Sequence, residues 1–178
     1  MELIITILRP FFEDPYKEFQ IRELARVLKI NHTTVRNYLN KLAKEGFLVK
    51  KQVRHYPVYA SNINSKKYLN LKLYYNLEKI RISRILEDIE KYYDFPIVVL
   101  FGSYSKAIDD QNSDIDLCII TDIKKEFPNK KYESIINRKI SLHKFTRKEL
   151  EELMKKNPEL INSIVNGIVL SGQLEVLQ

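Results

Sequence analysis

The sequence predicts an α+β chain built as two modules with a helical segment between them. Three observations carry this. Residues 1–62 pass from helical to strand-like apolar spacing in short elements. Residues 64–93 contain neither glycine nor proline and repeat leucine and isoleucine along their length. Two apolar runs, Ile97–Phe101 and 117–120, are separated by a small-residue turn and a polar loop, the punctuation expected of paired strands.

The first module reads in order. A helix is expected over residues 2–12, ending near Pro15. Phe19, Gln20 and Ile21 open the next element, and Leu24, Ala25 and Leu28 recur at helical spacing over 22–28. Lys29, Ile30 and Asn31 interrupt it, with Asn31 placed to cap a further helix from His32 to about Lys44. That helix has Val35, Leu39, Leu42 and Ala43 on its apolar face. Gly46 stands where a left-handed residue closes a helix. Residues 47–53 and 56–60 alternate as a hairpin with Arg54 and His55 at its tip.

Charge is concentrated in this module. The net charge is +7. Residues 1–70 hold 13 Lys/Arg against 6 Asp/Glu, whereas 71–178 hold 17 of each. A basic module joined to a neutral one suggests a polyanionic partner, although a lysine-rich solubilising surface gives the same count. The order helix, helix, turn, helix, hairpin resembles a winged helix-turn-helix domain over about residues 1–62, most clearly in 21–49. The resemblance implies a small core of Leu24, Ile30, Val35 and Leu39. It implies an outer helix face of His32, Thr33, Thr34, Arg36, Asn37 and Asn40 that reaches base edges of double-stranded DNA. Lys50, Lys51, Arg54 and His55 would meet phosphates from the wing. Some such domains bind protein instead, and that alternative stays open here.

The segment 63–94 reads as one long helix or two abutting helices. Leu69, Leu71, Leu73, Leu77, Ile80, Ile82, Ile85, Leu86 and Ile89 give it a broad apolar face. Part of that face is expected to cover the second module. The rest either packs within the chain or pairs with a second copy, as in winged-helix homodimers on two half-sites.

In the second module, residues 95–178, the strand Ile97–Phe101 ends at Gly102 and Ser103, and the next strand opens with Asp114-Ile115-Asp116. Residues i and i+2 of a strand share a face, so both carboxylates can converge on one cation or a pair. Gly102 lets backbone N–H groups approach a phosphate, and Ser103 adds a hydroxyl. The Gly-Ser turn followed some ten residues later by Asp-x-Asp resembles the nucleotidyltransferase superfamily related to DNA polymerase beta. The minimal nucleotidyltransferase branch is the best likeness, over roughly residues 95–172. The resemblance implies a small mixed sheet and a Mg²⁺-bound nucleoside triphosphate. Asp114 and Asp116 would then be catalytic and metal-binding, with Gly102 and Ser103 gripping phosphates at a helix N-terminus. Lys106 could add a positive contact or simply be a surface lysine.

Beyond this, a helix is expected over about 130–137 and a strand over 139–145. Thr146 should cap another helix, with Glu149 completing a capping box, and a last helix should run from Pro158 to about Leu170. Two-metal phosphoryl transfer uses carboxylates as its clamp, and the resemblance implies a third one on the strand after Asp-x-Asp. There Ile140 and Leu142 should face the core, leaving Ser141 and His143 toward the cleft. Neither is a carboxylate. His143 could serve as a base but is a poor ligand for Mg²⁺. Asp109 or Asp110 could supply a ligand from the loop.

Composition narrows the setting. The single cysteine, Cys118, lies in an apolar strand and excludes a disulfide framework. The apolar runs are too short to span a bilayer, no signal-peptide pattern follows Met1, and a reducing, cytoplasmic location is expected. Two functional readings follow. One is a DNA-binding transcriptional regulator whose second module binds nucleotide and Mg²⁺ or serves as a scaffold. The other is an active nucleotidyltransferase acting on a protein or other acceptor. The family resemblance alone adds an antitoxin role with a helical toxin partner.

Overall fold

The computed structural model describes residues 2–174. The chain forms two compact units, Met1–Tyr75 and Asn76–Gln178, so the division falls inside a helix.

The first unit runs α1 (Glu2–Glu13), β1 (Phe19–Gln20), α2 (Ile21–Leu28), α3 (His32–Lys44), β2 (Leu48–Val53), β3 (Tyr56–Ser61) and the first half of α4 (Lys66–Ser83). The strands form an antiparallel sheet in the order β1-β3-β2. In α1, Ile7, Leu8, Phe11 and Phe12 lie on one face by helical spacing and are buried with Leu24, Val35, Leu39, Leu42 and Tyr59. Local chemistry sets the breaks. Lys29 takes a left-handed conformation (φ 55°) that ends α2, and the Ile30 N–H reaches back to the Ala25 carbonyl at 3.1 Å. Asn31 caps α3 as expected, its Oδ1 accepting from the Thr33 N–H at 2.8 Å. The hairpin tip is Arg54-His55, with Val53 opposite Tyr56.

The second unit continues through the end of α4, α5 (Ile85–Tyr92), β4 (Ile97–Phe101), α6 (Gly102–Ser105), β5 (Ile115–Ile120), α7 (Lys130–Ile136), β6 (Ile140–Phe145), α8 (Arg147–Lys156), α9 (Pro158–Val165) and β7 (Ile168–Ser171). Two abutting helices occupy the segment before the sheet. Arg84 is left-handed (φ 61°) between α4 and α5, and the Ser83 hydroxyl accepts from the Ile85 N–H at 3.3 Å. The sheet order is β6-β5-β4-β7, with β5 parallel to β6 and the other pairs antiparallel. It is therefore mixed. One face packs Val98, Leu100, Ile115, Leu117 and Ile119 on Ile80, Ile85, Ile89 and Ile136. The other packs Val99, Phe101, Cys118 and Ile120 on Ile164, with Leu150 and Leu160 at its margin.

The last expected helix is corrected. It stops at Val165, and residues 168–171 form an edge strand on β4. Gly167 makes the change of direction tight. A β-carbon there would come within 2.5 Å of the Leu100 carbonyl oxygen and 2.9 Å of that of Ile164. The β-branched Ile168 and Val169 that follow favour a strand.

Candidate functional site

Strand alternation assembles the site in the second unit. Ile115, Leu117 and Ile119 point into one core, which turns Asp116 to the opposite face with Cys118. Phe101 lies opposite Asp116 across the antiparallel pair, so the chain leaves β4 for the Gly102-Ser103 turn beside that carboxylate. On the other side, parallel pairing puts Ser141 opposite Asp116 and His143 opposite Cys118. Asp114, Asp116, Gly102 and Ser103 are thus gathered at one end of the sheet.

The contacts are specific. Gly102 has φ +72°, and a β-carbon on it would fall 2.5 Å from Asp116 Oδ2. Its role in this structure is to make room for the carboxylate and to take a left-handed turn. Asp114 Oδ2 accepts from Lys139 Nζ at 2.9 Å and from the Ser141 hydroxyl at 3.0 Å. His143 Nε2 lies 3.5 Å from Asp116 Oδ1, and its ring meets the Phe101 ring edge-on with centroids 5.1 Å apart.

These environments push the two carboxylates in opposite directions. The Lys139 ammonium, helped by Ser141, holds Asp114 below the usual carboxylate range. Burial raises Asp116, and the Asp114 charge adds to the rise while His143 opposes it.

Gly102 and Ser103 open α6, a helix of only four residues, so a phosphate there would meet turn N–H groups and Ser103 rather than an extended helix dipole. The loop acids Asp109 and Asp110 each have a partner of their own. Asp109 is buried and accepts from Asn76 Nδ2 at 2.8 Å, and Asp110 closes its own loop by accepting from the Asn112 N–H at 2.8 Å.

Two carboxylates are the residues here that could hold a hard cation. Asp114 and Asp116 offer carboxylate oxygens, the ligand type Mg²⁺ requires. Among the described residues there is no group of three or more His, Cys, Asp or Glu side chains able to hold a metal ion. A groove of about 670 Å³ opens beside Asp114, lined among others by Lys130, Glu133, Arg138 and Lys139. Sequence reasoning missed Lys139. The signal was present, since 139, 141 and 143 alternate on one side of the strand.

In the first unit, His32, Thr33, Arg36, Asn37 and Asn40 are exposed on α3, and Thr34 is half-buried. Asn40 is committed to the hairpin. Its Oδ1 accepts from Lys50 Nζ at 3.1 Å and from the Tyr59 hydroxyl at 2.8 Å. Lys51 pairs with Glu18 at 2.6 Å. Arg54 is exposed at the tip, with φ 56°. A groove of about 630 Å³ is lined by Arg22, Ala25, Arg26, Ile30 and His32. Arg22 and Arg26, one helical turn apart on α2, were also absent from the sequence-based set.

No helix among the described residues is long and apolar enough to cross a membrane. No curated protein matches the chain. A family model described as Polymerase beta, Nucleotidyltransferase matches residues 83–175. That span holds β4 to β7, and with them the glycine-serine turn and both aspartates. On this match, which covers more than half of its length, the chain belongs to the polymerase beta nucleotidyltransferase family.

Proposed function

We propose that this protein is a DNA-binding transcriptional regulator whose nucleotidyltransferase-like unit binds a nucleoside triphosphate with Mg²⁺. The observation that carries the DNA half is the face of α3. Arg36 and Asn37 stand exposed beside the exposed hairpin, within the segment that holds the whole positive excess. In this reading the first unit is a winged helix-turn-helix. α3 enters the major groove with His32, Thr33, Thr34, Arg36 and Asn37, and Lys50, Lys51 and Arg54 meet phosphates. Arg22 and Arg26 add phosphate contacts beside the α3 N-terminus. A homodimer would match two half-sites, and its mass in solution tests that. Binding of the full chain to duplex DNA should weaken steeply with salt, since phosphate contacts release counterions. Salt-insensitive or absent binding would remove the reading.

In the nucleotide half, Asp114 and Asp116 hold Mg²⁺, whose charge offsets that of the triphosphate. Ser103 and the turn N–H groups bind phosphate oxygens. Family membership and the two aspartates also support a second reading, an active nucleotidyltransferase. An acceptor hydroxyl would attack the α-phosphorus, its P–O bond would form as the bond to pyrophosphate breaks, and His143 would take the proton. The acceptor is a protein or another hydroxyl-bearing molecule, and the antitoxin form of this reading adds a toxin partner that should co-purify. Pyrophosphate release lost in Asp114→Ala would favour this reading. Nucleotide binding without release favours the first.

A further inference from the structure

We infer that the cleft takes a single divalent cation, because Lys139 and Ser141 fill the flank of Asp114 on which a second cation would have to sit. The inference rests on the reading that this unit binds a metal nucleotide.

Three positions reach the aspartates from the neighbouring strand. Lys139 and Ser141 both touch Asp114 Oδ2, at 2.9 and 3.0 Å, and His143 faces Asp116 Oδ1 at 3.5 Å. None carries negative charge. Lys139 already places one positive charge against Asp114, so a second divalent ion on this flank would meet repulsion, and the one further carboxylate of the groove, Glu133, is engaged by the Ile140 N–H at 2.9 Å. The other side differs. Asp116 Oδ2 rests over Gly102, next to the turn where the phosphates would lie, and Asp114 keeps its Oδ1 for the same ion. Two carboxylates and phosphate oxygens make a normal Mg²⁺ environment for one ion. The loop acids Asp109 and Asp110 are held by Asn76 and by their own loop. The ammonium therefore stands in for a second cation, and the geometry favours holding a nucleotide over transferring it.

The test is a count. The full chain is saturated with a non-hydrolysable nucleoside triphosphate analogue and titrated with Mn²⁺, and bound metal is read by electron paramagnetic resonance. One Mn²⁺ per bound nucleotide is expected. Two in the wild-type protein would overturn the inference while leaving nucleotide binding intact. No nucleotide-dependent Mn²⁺ would overturn the inference together with the reading beneath it. The double variant Lys139→Ala, Ser141→Asp should double the count. An unchanged count in a variant that melts like wild type would show that these two residues do not set it. Should the variant fail to fold, the wild-type count still decides.

Discussion

Asp116 Oδ2 occupies the space that a β-carbon on Gly102 would need, 2.5 Å away. The turn and the carboxylate are thus a matched pair. Gly102→Ala should cost about 1–2 kcal/mol for its left-handed backbone alone, and should also displace Asp116. Nucleotide affinity in Mg²⁺ should fall by on the order of tenfold or more, the equivalent of roughly 1.4 kcal/mol. Gly46→Ala is the control. Gly46 has φ +86° but open space around its α-carbon, so it should lose stability without losing nucleotide. Thermal melts and calorimetric titration of both variants separate the two effects.

Helix α8 carries a pH-dependent cap. The Thr146 N–H, aided by its hydroxyl, donates to Glu149 and holds that carboxyl below its ordinary 4.5. A depressed folded value means that the contribution is complete above pH 4.5 and is lost as pH falls through the lower folded value. Glu149→Gln keeps an acceptor but no charge. Wild type should be the more stable at neutral pH, and the gap should close in acid. Urea melts of both proteins over a series from pH 7 downward measure it; a gap that stays constant into acid would count against the charged cap.

The local reading succeeded where chemistry acts within a few residues. Asn31 caps α3 and Thr146 with Glu149 caps α8 because each motif is complete in its own turn. The aspartates were legible because alternation along a strand does not depend on distant partners. What escaped depended on pairing across the chain. Residues 168–171 are apolar enough to continue a helix, and only their place beside β4 makes them a strand. Lys139 lies 25 residues from Asp114 and reaches it through the parallel register of β5 and β6. Asn40 read as a polar residue on an outer helix face, and its use by Tyr59 and Lys50 appears only once the hairpin folds back on α3.

Cys118 is fully buried between β4 and β6, and burial pushes its thiol up to about 12. The thiolate is the reactive form, and an unperturbed thiol ionises near 8.5. Native protein at pH 8 should therefore react with a disulfide reagent about a thousandfold or more slower than a free thiol. Reaction should accelerate only as the second unit opens, which makes labelling a direct readout of its unfolding. Fast labelling under native conditions would mean that this strand is more accessible than its burial indicates.

Asn40 and Asn37 both lie exposed on α3, three residues apart, yet should behave differently when removed. Asn40 accepts from the buried Tyr59 hydroxyl and from Lys50. Asn40→Ala leaves the Tyr59 hydroxyl without that acceptor, a cost of about 1–3 kcal/mol, and frees the hairpin that presents Lys50. Its DNA affinity should drop by a similar factor on every sequence, because a misplaced hairpin loses phosphate contacts rather than base contacts. Asn37→Ala should leave stability unchanged and instead relax preference at one base pair, worth roughly 1–3 kcal/mol if the side chain pairs with a base edge. Denaturant melts with binding to a randomised duplex pool distinguish the two patterns. If Asn40→Ala alters sequence preference with no loss of stability, Asn40 reads a base and the hairpin is held by other contacts.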